Sequence, residues 1–566
     1  MKKCPQCGRE YDVSMAFCLD DGAELLYGPS TNSGVVDEPA TAIIHTTDAV
    51  ADAPTRAQIH TTQHTEVLPS NASDVRNRGF DKRLLAAPFL LAVIAAAGFF
   101  GFRYLGSTSR QINSIAVLPF ENRSGNADSE YLSDGLAESL IYRLSQLPGL
   151  KVSPTNAVRR YKGSQSDIGK IASELDVDAV MSGRLTQRDD NLTISVELTD
   201  ARTNKLIWAE QYARKMSDLL ATQREIATAV TQKLQLQLSS SEVGLTKHYT
   251  NDNEAYQLYL KGRFFWNKRT PEALKLAIEQ FKAASEKDPN FALAYVGMAD
   301  SYLVALYNIR GKDKEVIPIA KAYAAKALDL DPSLAEAHAT QGLASTYLWE
   351  WAEAEKHFQR SIELNANYPT ARHWYSRLLR AQGQYDEAFE QIKQAQKADG
   401  LSPAIINNVA DGYYEQGDFQ GAIAETIRGV EIAPMWVQFR LLAYCYVSLG
   451  KNEDALANAR KAVELMDGAA TLRTLGYVQA KLGNRSEALR IEKELEYRFA
   501  KGDADGRDIA VVYAGLDDKD KVFERLEKSF HNRSSTLVEM RMEESFKPLR
   551  SDPRFKDLLK RMGLRD

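Results

Sequence analysis

Alanine recurs at positions 277, 320, 354, 388, 422, 455 and 488, first at an interval of 43 residues and then at intervals of 34, 34, 34, 33 and 33. A repeat of that length holds two helices and their turns. Each pair can bury its apolar stripe only against its neighbours, so the chain must stack into a solenoid. Seven residues after each alanine a second small residue returns (Ala284, Ala327, Ser361, Ala395, Gly429, Ala462), with Leu495 breaking the rule. Gly383, Gly417, Gly450 and Gly483 each stand five residues before a ladder alanine, and Trp351, Tyr385 and Phe419 fill matching aromatic slots. The long first interval places an insertion near Tyr307–Val316. The array is expected over 253–500 as about seven helix pairs. Residues 501–566 then supply one degenerate pair at Ile509–Phe530 and a closing segment, PLRSDPRFKDLLKRMGL, to cover the last hydrophobic face.

This pattern resembles the tetratricopeptide repeat. The resemblance implies a concave groove lined by the first helix of each pair, which binds peptides or protein segments. Ten residues before the four glycines stand His373, Asn407, Arg440 and Arg473, with Asp411, Tyr444 and Tyr477 one turn further on. Under the family's geometry all seven face the groove. A polar and aromatic row suits a peptide, and two arginines can hold a carboxylate by charge-assisted bonds.

Three of the four cysteines fall in the first 18 residues. Cys4-Pro-Gln-Cys7-Gly is a knuckle of two thiolates on a tight turn, and Cys18 follows with Asp21 where a second knuckle would carry its last cysteine. Zinc accepts a carboxylate as fourth ligand, so Cys4, Cys7, Cys18 and Asp21 form a sound tetrahedral set. Asp20 would close the loop by a shorter, more strained reach. Residues 1–27 are too few for a core, so a structural zinc ion should supply most of their folding energy. The segment resembles the short zinc ribbons of bacterial N-termini with the pattern CPxCGxxY…FCxxDG. It has three bases against five acids, which favours contact with protein over nucleic acid.

Residues 28–83 are rich in Thr, Ala, Asp, Ser and Pro and hold one aromatic residue, Phe80, next to the following segment. They read as a disordered linker, and His45, His60 and His64 within it as ordinary polar residues. From Leu84 to Phe102 no charge occurs over 19 residues, which at 1.5 Å per residue reach about 28 Å, near the thickness of a bilayer core. One transmembrane helix is expected over 84–105, with residues 84–102 in contact with lipid. Four flanking bases on the N-terminal side (Arg76, Arg78, Lys82, Arg83) against three on the other (Arg103, Arg110, Arg123) place the N-terminus in the cytoplasm. A thiolate site in reducing cytosol agrees with that placement, leaving the later domains periplasmic or otherwise extracytoplasmic. Ala97 and Gly101 form a small-xxx-small pair compatible with homo-oligomers.

Residues 112–238 change character. The short run at Ile115–Phe120 suits a buried strand, and Ser133 is placed to cap a helix that ends at Pro148-Gly149. A helix over Ile168–Leu175 follows. Alternation from Leu192 to Leu198, between turns at Asp189-Asp190-Asn191 and Thr203-Asn204, predicts a half-buried antiparallel strand. An amphipathic helix near 217–238 closes the unit. The motifs SIAVLPFENRSGNADSEYLSDGLAESLIYRLSQLPGLKV, DVDAVMSGRL and LTISVELTDARTNKLIWAEQY resemble the TolB N-terminal-like (FlgO-like) family, which implies an α/β fold, an adaptor role and no catalytic residue.

The expectation is therefore a multidomain chain: zinc ribbon, linker, one membrane helix, an α/β module and an all-α repeat solenoid. No phosphate-binding loop, zincin, nucleophile-elbow or kinase motif occurs, so no enzyme is expected, and Cys445 reads as a small core residue. Net charge is −5 and no domain is basic, so no nucleic-acid partner is expected. The function expected is a membrane-anchored scaffold that binds a protein or peptide in its repeat groove. The alternative is a single-span receptor coupling the outer array to the zinc ribbon, and a further option keeps the array cytosolic.

Overall fold

The computed structural model describes residues 2–3, 10–11, 112–125, 129–147, 149–163, 167–234, 249–306 and 313–565. The expected zinc ligands, the linker and the stretch 84–105 lie outside them. Among the described residues, no helix is long and apolar enough to cross a membrane, and no group of three or more His, Cys, Asp or Glu is placed to hold a metal ion. Near the N-terminus, β1 (Lys2–Lys3) pairs antiparallel with β2 (Glu10–Tyr11).

The α/β module runs β3 (Ser114–Val117), β4 (Glu121–Asn122), α1 (Glu130–Ser145), β5 (Lys151–Val152), α2 (Thr155–Arg159), α3 (Ile168–Leu175), β6 (Ala179–Arg188), β7 (Asn191–Asp200), β8 (Lys205–Lys215) and α4 (Leu219–Lys233). Strand order is β5-β3-β6-β7-β8, with β4 also on β6. β5, β3 and β6 are parallel, and β6 to β8 form an antiparallel meander. Leu192, Ile194, Val196 and Leu198 of β7 are all buried, as their alternation predicts. Asp189 and Asn204 hold the two hairpin turns at φ of 50° and 52°. One expectation is corrected. Ser133 does not cap α1, which begins earlier, after Ser129; Ser133 is buried within the helix and donates to the Glu130 carbonyl at 2.9 Å.

The array consists of paired helices. They are α5 (Asn253–Trp266) and α6 (Pro271–Lys287), α7 (Ala292–Ala305) and α8 (Asp313–Leu330), α9 (Ala335–Tyr347) and α10 (Trp351–Leu364), and α11 (Pro369–Gln382) and α12 (Tyr385–Ala398). Next come α13 (Pro403–Glu415) and α14 (Phe419–Ile432), α15 (Trp436–Ser448) and α16 (Asn452–Leu465), and α17 (Ala469–Lys481) and α18 (Arg485–Ala500). The degenerate pair is α19 (Gly506–Gly515) and α20 (Lys519–His531). Two 3-10 turns, Ser535–Glu539 and Glu544–Leu549, lead to α21 (Pro553–Arg561).

Every ladder alanine is buried to 1% exposure or less, and Leu495, the exception in the second row, is also fully buried. The four ladder glycines adopt φ of 83°, 82°, 68° and 81°, left-handed turns in which a side chain would be strained. Gly342 meets another demand: a Cβ there would stand 2.9 Å from the Phe358 ring, so α9 and α10 touch only because it is glycine. These features make the C-terminal half a repeat solenoid of the tetratricopeptide type.

The module and the array share one hydrophobic core, which passes from the sheet through Leu136 and Leu140 of α1 to Leu260, Phe291 and Val296. Gly135 permits this, since a Cβ on it would lie 2.9 Å from the Leu260 Cβ. A second core joins α6 and α10 to the C-terminal segment, including Phe281, Phe358, Leu537 and Phe546. The solenoid thus curls until its end returns to its early pairs. Trp351 Nε1 donates to the Met562 carbonyl at 2.7 Å, and Asp313 accepts from the Ser535 backbone and hydroxyl, both at 2.8 Å.

Candidate functional site

The first helices of successive pairs turn one face inward. Their curl, closed by α1 and by the two 3-10 turns, leaves a cavity of about 750 Å³. Of the seven residues expected on the concave face, His373, Asn407, Asp411, Arg440, Tyr444 and Arg473 line it; Tyr477 packs against Tyr444 with ring centroids 5.4 Å apart.

The expected arginine row is not vacant. The segment from Ser535 to Leu549 enters the concave face and presents two glutamates to it. Glu543 accepts from Arg507 at 2.8 Å and from the Tyr444 hydroxyl at 2.9 Å, with Arg473 at 3.6 Å. Glu539 accepts from Arg377 at 2.8 Å and Arg507 at 2.9 Å. Arg473 also reaches Asp508 at 2.8 Å, so its guanidinium is neutralised from two sides. Burial alone would raise the pKa of Glu543, but Arg473, Arg507 and Arg440 overcome it and hold the carboxyl at about 2. Glu539 is held low in the same way, burial being outweighed by Arg507, Arg377 and Arg473. Leu537, Met540 and Phe546 are fully buried beneath these pairs. The carboxylate expected from a partner is supplied by the chain itself.

The other end of the cavity is walled by the α/β module. Arg263 of α5 bonds Glu138 of α1 through Nε at 2.6 Å, and Asn267 donates to the same carboxylate at 2.9 Å. The Ser139 and Tyr256 hydroxyls lie 2.6 Å apart, and the Tyr142 hydroxyl donates to Glu336 of α9 at 3.2 Å. Asp300 of α7 accepts from Thr340 at 2.6 Å. Burial raises Glu336 to about 7, raises Asp300, and lowers His373 to about 3. None of Glu138, Arg263, Asp300 or Glu336 was singled out from the sequence. The helical spacing of α7 and α9 could have found the last two, as acidic residues on otherwise small and apolar faces. Cys445 is buried, with burial pushing its thiol up to about 12, as suits a core residue.

Residues 110–230 match the family described as HilA/YgeH-like transcriptional regulator, second domain. Over 256 residues the chain is 31% identical to a putative adenylate cyclase 3 of Rhizobium meliloti, covering 43% of this chain and 42% of that protein. Over 314 residues it is 25% identical to the transcriptional regulator HilA of Salmonella typhimurium, covering 54% of each. The chain therefore spans about half the length of the curated relatives it matches. Among solved structures, that of Pseudomonas aeruginosa pilF aligns at 18% identity with a TM-score of 0.29, over 38% of this chain and 93% of the other.

Proposed function

We propose that this chain is a membrane-anchored regulatory protein whose α/β module and repeat array act together as one receiver. An occupant of the internal cavity would alter the fit between them. The observation that carries this reading is the cavity wall itself: α1 of the module supplies Glu138, Ser139 and Tyr142, α5 and α9 supply their counterparts, and α7 adds Asp300 to the lining. A ligand touching both sides binds one arrangement better than another, and this difference is what a receiver transmits. Relatives whose names differ in output, a cyclase and a transcriptional regulator, support a receiving and non-catalytic role. The single-span topology with a cytoplasmic N-terminus, the structural zinc on Cys4, Cys7, Cys18 and Asp21, and the TolB N-terminal-like character of the module belong to the same proposal. In it the zinc-bearing head is the output side.

Capture of a protein partner is the second reading. It is favoured by the arginine row, which is already suited to an acidic segment, and here it proceeds by exchange with residues 535–549. One experiment separates the two. Purified full-length chain in detergent is mixed with a cell extract fractionated by mass. The receiver reading expects the low-mass fraction to raise Tm and slow hydrogen exchange in α1, α5 and α9. If exchange instead rises in 535–549 with the protein fraction alone, the receiver reading fails in favour of capture.

A further inference from the structure

His338 of α9 and His357 of α10 meet about one turn from the contact between Gly342 and Phe358. Their Nδ1 atoms lie 2.8 Å apart. Each ring is held from its far side: His357 Nε2 donates to Glu353 at 2.9 Å, and His338 Nε2 to the Pro332 carbonyl at 3.2 Å. A carboxylate and a carbonyl only accept, so both Nε2 atoms carry hydrogen. In two neutral imidazoles that leaves a lone pair on each Nδ1, and the two lone pairs face each other.

An electron-pair acceptor between the rings would relieve this. A proton serves only by giving the pair a charge. Burial lowers the pKa of both rings, and Lys356 lowers both further, with Arg360 acting on His338 and Lys321 on His357. Glu353 pulls His357 the other way, and the Pro332 carbonyl does so for His338, without reversing either direction. A shared proton therefore serves in acid alone.

A metal ion is the other acceptor, and the surroundings suit one. Metal-binding imidazoles almost always pass their second N–H to a carboxylate or a backbone carbonyl, which sets the tautomer and turns the ring toward the ion. Both acceptors are in place here. The spacing fits as well. A tetrahedral zinc ion bound by two imidazole nitrogens at about 2.0–2.1 Å would hold the ring centres roughly 5.2 Å apart; the two centroids stand 5.1 Å apart. The rings need only tilt in place for both Nδ1 atoms to point at one ion. His357 is 12% exposed and His338 half-buried, so water can reach the other coordination positions. The neighbouring cations are engaged: Lys321 with Glu350, Lys356 with Glu353 at 3.8 Å, and Arg360 with Glu363 at 3.0 Å.

We propose that His338 and His357 form a two-histidine site for a divalent transition-metal ion of the zinc class, with water completing its shell. Imidazole nitrogen selects Zn2+, Cu2+ and Ni2+ over Mg2+ and Ca2+, which prefer oxygen. With two protein ligands instead of the four of a structural site, the ion is exchangeable and leaves on dialysis. It ties α9 to α10, and α9 carries Glu336 into the cavity wall. The site uses none of the N-terminal cysteines and does not depend on the receiver reading.

The test is calorimetry and hydrogen exchange on the full-length chain in detergent, titrated with Zn2+ at pH 7.5 beside His338→Gln and His357→Gln. The N-terminal cysteines are common to all three chains, so the site is read as the difference. The wild type should take up one equivalent more than either variant. That equivalent should slow exchange in α9 and α10 tenfold or more, and Mg2+ should not; this reading on the wild type stands however the variants fold. Glu353→Gln keeps both ligands but loosens one ring, and should bind the ion about tenfold more weakly. Equal zinc uptake by the three chains overturns the proposal. So does exchange in α9 and α10 that ignores zinc at pH 7.5 and slows only in acid, since a shared proton would then close the gap.

Discussion

Replacing Glu543 with Gln keeps the shape of the side chain and deletes the charge that closes the concave face. Glu543 is held at about 2 against an ordinary 4.5. At 1.36 kcal/mol per unit that depression corresponds to roughly 3 kcal/mol of native stability. The figure needs no discount for solvent, because the side chain is only 1% exposed. Removing one member of a buried ion pair costs about 3–5 kcal/mol by an independent route, since Arg507 and Arg473 lose part of their neutralisation. The two agree on a loss of about 3–4 kcal/mol. The sign with pH follows from the depressed value. The contribution is complete above pH 4.5 and fades as the pH falls toward 2, so wild type and variant should converge in acid. Hydrogen exchange of residues 535–549 is the assay, because a repeat array need not unfold as one unit. Glu543→Gln should speed exchange there by about a hundredfold at pH 7, and much less at pH 3. Adding Phe546→Ala, whose ring is fully buried, should contribute a further 3–5 kcal/mol by the usual cost of such a cavity and release the segment. If Glu543→Gln left exchange in 535–549 unchanged at pH 7, the ion network would not be what holds the segment in the groove.

Three other outcomes are expected. Glu336 lies above its unfolded value, so its burial destabilises the native state progressively from pH 4.5 to about 7. Glu336→Gln should therefore gain about 2–3 kcal/mol at pH 8 and almost nothing at pH 4.5, read as the difference between two denaturation curves across pH. Gly342→Ala should lose about 1–3 kcal/mol in urea melts, as its methyl meets the Phe358 ring at 2.9 Å; an unchanged melt would mean that α9 and α10 are not in contact there. Elemental analysis of the intact chain should find one zinc, which Cys7→Ser removes and Asp20→Asn leaves in place; loss with Asp20→Asn and retention with Asp21→Asn would reassign the fourth ligand.

What was legible in the sequence is what local geometry writes there. Ala354 and Ser361 mark the same contact in one pair as Ala388 and Ala395 in the next, because helix pitch fixes which side chains meet. The turn glycines follow from φ, and Trp349 is found in the same left-handed state at 64° because its turn has the same geometry without the glycine. Ser133 misled because it precedes an apolar helical run, whereas the helix starts at Glu130 and buries Ser133 against it. The filling of the groove was out of reach. SSTLVEMRMEESFKPL has no period, and its partners lie far back in the chain, Asp313 for Ser535 and Arg377 for Glu539. Which pairs meet is set by the rotation accumulated from repeat to repeat, and no single repeat's residues encode that sum.

This closure weighs differently on the two functional readings. A protein partner aiming an acidic segment at Arg473 and Arg507 competes with Glu543 and Glu539 on the same chain. A tethered competitor acts at an effective concentration on the order of millimolar even before its own packing counts. Leu537, Met540 and Phe546 are fully buried as well, so displacement must also expose three large apolar side chains at about 1.5–3 kcal/mol each. A partner present at micromolar levels would have to bind the bare groove many orders of magnitude better than it needs to bind anything open. The module end carries no such competitor among the described residues: Arg269, Asp300 and Glu336 line the cavity there, their charges offset by one another and by Arg263. A small ligand there gains those contacts without displacing a segment, and it touches α1 and α9 together. On energetic grounds the receiver is therefore the easier state to switch.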